Sequence, residues 1–258
     1  MDAGVSLNFD RVADQYDESR GGAARGESIA ADLVSWLAPG AVLEVGIGTG
    51  IVAAALRARG VPVRGVDLST AMLRRAVDRL GPLVVRADAV ALPVASGSVD
   101  NVLFVAALHA IGDVPGAVAE AVRVLKPGGR LIAVHGVPLR VPADDDVARA
   151  LVPLAGLRDF RPDTVAALDQ AAAAGSLEPV GITWTARGSL AQTPNAVADS
   201  IERRLWSYLW NVDEPTWQAV VAPVVAALRA LPEPNRPRQY DLSSRLVVFA
   251  RGDATPGR

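Results

Sequence analysis

The chain has no cysteine, which excludes disulfides, thiolate metal sites, iron–sulfur clusters and cysteine nucleophiles. It has two histidines, His109 and His135, far apart in sequence, so a multi-histidine metal site is excluded and no metal is expected. Lys126 is its single lysine, and arginine supplies the remaining positive charge. No sign of charge dominates: 26 basic residues stand against 28 acidic ones. Duplex nucleic acid, which is bound mainly by phosphate neutralisation, is therefore not an expected partner. No apolar run approaches the roughly 20 residues that cross a bilayer. Residues 1–20 are polar and acidic, without the basic-then-apolar order of a secretion signal. These absences predict a cytoplasmic protein with no membrane partner. What the chain does have is apolar content: 50% of its 258 residues are hydrophobic, enough for a sizeable core.

Short apolar, β-branched runs alternate with longer helical stretches, the pattern of a parallel α/β sheet covered on both faces. Residues 41–46, 62–66, 83–87, 99–105 and 130–135 read as strands. Residues 50–59, 70–80 and 115–125 read as the helices between them. A helix over 25–37 precedes the first strand. Beyond the fifth strand, helices are expected at 144–154, 163–175, 194–210 and 214–231, and strands at 179–186 and 242–250. The tail from 251 is expected to fray. The reading is one domain, 1–258, with an N-terminal helical cap (1–40), a ligand-binding core (41–136) and a helical insert or lid (188–238).

The informative segment is Val42-Leu-Glu44-Val-Gly46-Ile47-Gly48-Thr-Gly50, a strand ending in a glycine-rich turn before a helix. Glycines there let a ligand approach the backbone at the carboxyl end of the strand. The second strand ends at Asp67, placed to accept from both hydroxyls of a ribose. Its competing role is to cap the next helix, although Ser69 can do that alone. Asp88, after the third strand, is placed to accept from an adenine amino group, with Ala89 beside the ring. A dinucleotide fingerprint wants Gly-x-Gly-x-x-Gly, and here Ile51 stands where the third glycine belongs. Glu44 has little use beside a diphosphate and suits a cationic cofactor.

With these blocks the chain closely resembles the class I S-adenosylmethionine-dependent methyltransferases, on the small-molecule, methyltransferase-type-11-like branch. The resemblance is carried by Glu44-Val-Gly-Ile-Gly-Thr-Gly50, Gly65-Val-Asp67-Leu-Ser69, Asp88-Ala89 with Leu92-Pro93, and Arg123-Val-Leu-Lys-Pro-Gly-Gly129. It implies an α/β, doubly wound, Rossmann-like seven-stranded sheet whose last strand is antiparallel, with a helical insert before that strand. It implies S-adenosyl-L-methionine as cofactor and S-adenosyl-L-homocysteine as product. By position, Gly46, Ile47, Gly48 and Gly50 would lie against the methionine part, with Glu44 near its ammonium or orienting the loop. Asp67 would hold the ribose, Leu68 and Met72 would flank the adenine, and Asp88 and Ala89 would read its edge. Ala106 would sit by the cofactor. Tyr16 and Arg20, on an N-terminal helix of the kind that often covers the cofactor, would close over the carboxylate end.

Methyl transfer is an in-line displacement, so alignment and water exclusion carry most of the catalysis. A base is needed only for a hydroxyl, an acidic carbon or a protonated amine. His109, after the fourth strand, is the residue placed for that role, with packing on the cofactor as its alternative. His135, ending the fifth strand, is a substrate contact by position. Trp206 and Trp210, in the insert, would line an apolar or aromatic substrate pocket if the insert is a lid. The reaction expected is methylation of an O or C atom of a small organic acceptor, a secondary metabolite or quinone-like ring. The alternatives are methylation of RNA or protein, or a non-methylating cofactor-binding protein of the same fold. An Asn/Asp-Pro-Pro-Tyr block is absent, which argues against a DNA base.

Overall fold

A computed structural model describes residues 6–19, 21–135, 139–140, 145–157, 165–185 and 188–252. In chain order the helices are α1 (Tyr16–Ser19), α2 (Gly22–Val34), α3 (Ile51–Ala58), α4 (Thr70–Leu80), α5 (Val114–Val124), α6 (Asp146–Leu151), α7 (Val165–Ala174), α8 (Pro194–Glu202), α9 (Glu214–Thr216) and α10 (Ala222–Arg229). The strands are β1 (Val42–Val45), β2 (Val63–Asp67), β3 (Val84–Arg86), β4 (Val99–Val105), β5 (Leu125–Val134), β6 (Leu139–Arg140), β7 (Leu177–Trp184), β8 (Gly188–Gln192), β9 (Arg238–Leu242) and β10 (Arg245–Arg251). The chain forms two compact units, one from residues 1–137, 161–186 and 244–258, the other from 138–160 and 187–243.

The first unit holds a seven-stranded sheet in the order β3-β2-β1-β4-β5-β10-β7. β10 runs antiparallel to β5 and β7, while β1, β2, β3, β4 and β5 are parallel. This is the α/β Rossmann-like sheet that the motifs imply. Both faces are buried. Leu43, Val45 and Phe104 pack with α5 and α7. Val42, Leu103 and Ile132 pack with α2, α3 and α4. The near-continuous hydrophobicity of the strands follows from this double cover. α4 shows how local sequence sets a boundary. The Ser69 side chain accepts from the Met72 N–H, while Met72, Leu73, Ala76 and Leu80 form the buried stripe. The order reverses between β1 and β4, so a crevice opens at the carboxyl end of β1.

Two boundaries in this unit differ from expectation. The Lys-Pro-Gly-Gly turn lies inside β5 rather than before it. Pairing with β4 jumps from Val99↔Leu125 to Asn101↔Arg130, so residues 126–129 bulge out between two paired stretches. The final strand begins at Arg245 and not at 242, because Leu242 pairs with β6 and β8 in another sheet.

The second unit carries the antiparallel sheet β6-β9-β8 and a core that includes Val147, Leu154, Ile201, Leu209 and Leu228. Residues 188–238 are thus helices bracketed by strands β8 and β9, not helix alone. The helix expected over 194–210 stops at Glu202. Arg204 adopts φ 50°, and its Nη1 donates to the carbonyls of Leu209 (2.7 Å) and Val212 (3.1 Å). Its guanidinium also lies 4.1 Å over the Trp217 ring. The stretch 214–231 is broken by a π-turn at Trp217–Val221 between α9 and α10.

Candidate functional site

The site lies in the first unit, at the carboxyl end of β1. Gly46 and Gly48 both take positive φ, 74° and 57°. A Cβ on Gly46 would stand 2.6 Å from the Ala107 Cβ, so this position requires glycine. A Cβ on Gly48 would meet nothing within 4 Å. The missing side chain there leaves open space against a backbone that lines the pocket.

Asp67, at the end of β2, ties the glycine loop to the next helix. Its Oδ2 accepts from the Gly48 N–H (2.8 Å) and its Oδ1 from the Ser69 N–H (2.8 Å). Burial raises its pKa, and those backbone bonds oppose the rise. Ser69 caps α4, as expected of it, which leaves Asp67 facing the pocket. Met72, Leu68, Asp88 and Ala89 line the same pocket. Asp88 turns its loop by accepting from Val90 N (3.3 Å) through Oδ1.

The N-terminal segment crosses this pocket as a strap. Ser6, Leu7, Phe9 and Tyr16 line it. One end is held beyond β4: Leu7 N donates to Ala110 O (2.8 Å), and Ser6 Oγ accepts from Gly112 N (3.1 Å). The other end is held by acids set three or four residues apart. Asp10 Oδ1 accepts from Ser69 Oγ (2.6 Å) and Ala71 N (2.9 Å). Asp14 pairs with Arg75 at 2.8 Å. Asp17 accepts from Thr49 Oγ1 (2.5 Å) and pairs with Arg79 at 2.6 Å. Phe9 sits edge-on to Tyr16 (6.0 Å) and to His109 (6.4 Å).

The far wall is made of small residues. Ala106 takes φ 48°, a strained conformation for alanine, with its N–H donating to Val134 O (2.7 Å). Ala106, Ala107 and Ala110 line the pocket. Beneath the loop, Glu44 is fully enclosed, and its Oε2 has no hydrogen-bond partner among the described residues. Burial first, and the Asp67 charge second, push its pKa up from 4.5 to about 8.

Several expected site residues lie elsewhere. Ile47 is 5% exposed and packs in the core, its side chain filling the space over Gly65. Gly50 faces Leu80 and Ala76, so it serves the contact between α3 and α4. Glu44 lies beneath the loop and does not line the pocket. His109 does not line it either; it backs Phe9. His135 is buried at the end of β5, its N–H donating to Arg245 O (2.9 Å). Trp206 and Trp210 belong to the second unit. Trp206 stacks on Tyr208 at 5.8 Å, and Trp210 Nε1 donates to Arg204 O (2.8 Å). Arg20 lies outside the described residues. The sequence reasoning missed Phe9, Ser6 and Leu7. Their signal was the acid spacing Asp10, Asp14, Asp17 opposite Arg75 and Arg79. Among the described residues no cluster of three or more metal ligands occurs, and no helix is long and apolar enough to cross a membrane.

Residues 43–133 match the family described as a methyltransferase domain. A relative, the demethylmenaquinone methyltransferase of Thermus thermophilus, is 36% identical over 142 residues, covering 50% of this chain and 64% of that one. The chain thus spans less than two thirds of the curated relatives it matches. Among solved structures, Haemonchus contortus phosphoethanolamine N-methyltransferase 2 with S-adenosylhomocysteine aligns at TM-score 0.56 and 18% identity, over 95% of this chain and 58% of that one. A [4+2]-cyclase, SpnF, aligns at TM-score 0.56 and 17% identity, over 98% and 100%. These two likenesses speak to the fold.

Proposed function

We infer that the chain is an S-adenosylmethionine-dependent methyltransferase acting on a small organic acceptor, its residues 43–133 carrying the methyltransferase domain. The observation that carries this reading is the charge of the pocket. Asp67 and Asp88 are its charged lining residues among the described ones, and no described lysine or arginine lines it. Such a lining suits a cofactor with a sulfonium, an ammonium and a ribose, and it disfavours a dinucleotide diphosphate. The open space at Gly48 and the carboxylate of Asp67 fit that ligand.

In this reading Asp67 receives the ribose hydroxyls on the lone pairs its two backbone donors leave free. Leu68 and Met72 flank the adenine, and Asp88 with Ala89 meets its edge. Gly46 and Gly48 lie along the methionine part, and Glu44 supports the loop from below. Phe9 and Tyr16 on the strap shut water out. When bound, the cofactor supplies a methyl group already activated by positive sulfur. Ala106 and Ala107 leave room for an acceptor near that end of the pocket, and alignment does most of the work. His109, behind Phe9, positions the strap and does not take a proton. Trp206 and Trp210 serve the packing of the second unit. A quinone-like or phenolic ring is the acceptor class we favour, methylated at O or C; the name of the Thermus relative supports it.

The test is calorimetric titration with S-adenosylmethionine, S-adenosylhomocysteine and NAD, followed by turnover assays with phenolic and quinol acceptors. Binding of the first two but not NAD, with acceptor-dependent formation of S-adenosylhomocysteine, is the expected result. Preference for NAD would overturn the cofactor reading. Tight cofactor binding without turnover on any acceptor would favour a non-methylating member of the fold, a possibility that the cyclase neighbour illustrates.

A further inference from the structure

Arg245 stands apart from the other half-buried arginines. Arg123, Arg130, Arg204, Arg238 and Arg251 each donate to carbonyls or carboxylates. The Arg245 Nε is shut off from water and has no hydrogen-bond partner among the described residues. A desolvated donor without a partner costs the full loss of its hydrogen bond with water. Such a group in a native fold calls for an explanation.

Its place in the sheet supplies one. Arg245 pairs with Trp184 of β7 in register. On its other side the His135 N–H donates to Arg245 O. Val247 and Ala133 belong to the core under α5 and α7. Arg245 and His135 lie two residues from them along their strands, so they share that face. His135, Arg245 and Trp184 therefore form a lateral row across β5, β10 and β7, at the carboxyl end of β5. The row starts beside the pocket wall, because the Ala106 N–H donates to Val134 O, one residue before His135. Trp184 is 46% exposed.

We propose that His135, Arg245 and Trp184 form the acceptor subsite and take a planar aromatic acceptor that carries an ionised oxygen. This rests on the methyltransferase reading above and gives the acceptor its chemical class. The guanidinium receives the anionic oxygen in a charge-assisted bond. The indole offers a flat apolar face to the ring. His135 fixes the edge of the site nearest the pocket.

The experiment uses the full chain saturated with S-adenosylhomocysteine. The probe is 1-hydroxy-2-naphthoate, and its uncharged methyl ester is the comparison; binding is read by calorimetry. The wild type should bind the acid at least tenfold more tightly than the ester. Arg245→Gln should weaken the acid about tenfold or more, the size of one lost charge-assisted bond, and leave the ester nearly unchanged. Trp184→Ala should weaken both ligands alike. S-adenosylhomocysteine affinity should not move in either variant, which also reports that they fold. Arg245→Lys keeps the charge but not the fork and should fall between the wild type and the glutamine variant; it carries the test if that variant does not fold. Equal affinity for acid and ester in the wild type, or equal affinity for the acid in wild type and Arg245 variants, overturns the subsite. If the wild type does not bind S-adenosylhomocysteine, the cofactor reading fails, and the same titration without it still decides the subsite.

Discussion

Asp67 and Gly48 are joined by a 2.8 Å hydrogen bond from the glycine N–H to the carboxylate Oδ2. The bond links the end of β2 to the turn after β1, so the carboxylate and the glycine backbone are held as one surface before any ligand arrives. Asp67→Ala removes both this tie and the ribose acceptor. Calorimetry with S-adenosylhomocysteine should show at least a hundredfold loss of affinity, from two charge-assisted bonds at about 1.5–3 kcal/mol each. Unchanged affinity would remove Asp67 from the site.

Gly46 and Gly48 should separate stability from binding. Gly46→Ala drives a methyl group into Ala107 at 2.6 Å and adds positive-φ strain. It should lower the melting temperature by several degrees, for a cost of order 1–3 kcal/mol. Gly48→Ala meets no protein atom within 4 Å. It should fold with a smaller loss, of about 1 kcal/mol, yet bind the cofactor poorly because its methyl group enters the space assigned to the ligand. Full affinity in Gly48→Ala would place the ligand elsewhere.

Glu44 predicts a pH dependence of stability. Its carboxyl titrates near 4.5 in the unfolded chain and is raised to about 8 in the fold, by burial first. The folded state therefore holds a proton that the unfolded state releases. The stability from this group is fully present below about pH 4.5 and is lost as pH rises to about 8. Glu44→Gln removes the titration. The variant should melt higher than the wild type at about pH 8.5, with the gap closing towards pH 5; parallel melting curves would show that Glu44 is ionised in the fold.

The strap should govern cofactor release. Asp17→Ala breaks its bonds to Thr49 and Arg79 together. Stopped-flow displacement of S-adenosylhomocysteine should show release faster by about three- to tenfold, for roughly 1 kcal/mol of partly exposed ion pair. Release from the wild type should quicken with added salt, and release from the variant should respond less. An unchanged rate would mean that the strap opens before release is limited.

His109→Ala removes the edge-on contact with Phe9 of the strap. Saturated turnover should fall less than tenfold, with no change in its pH profile, while the KM for the cofactor rises. A fall of a hundredfold or more together with a changed pH profile would restore His109 as a proton acceptor.

The sequence by itself determined the sheet and the centre of the pocket. Each strand from β1 to β5 announces itself through a local apolar run, and helices on both faces follow from that continuity. The glycines, Asp67 and Asp88 were legible because turns at strand ends are local and demand particular residues. Tertiary structure decided the rest. Ile47 sits in the core because Gly65 on the neighbouring strand leaves a gap for it. The strap depends on Asp10, Asp14 and Asp17 meeting Ser69, Arg75 and Arg79, some sixty residues away. Arg204 ends a helix whose own sequence would have continued, since its guanidinium finds two carbonyls and an indole face. Arg245 and Trp184 become neighbours of His135 only when β10 enters the sheet between β5 and β7. Local periodicity is written in adjacent residues; such meetings are set by strand order and register, which no stretch of adjacent residues encodes.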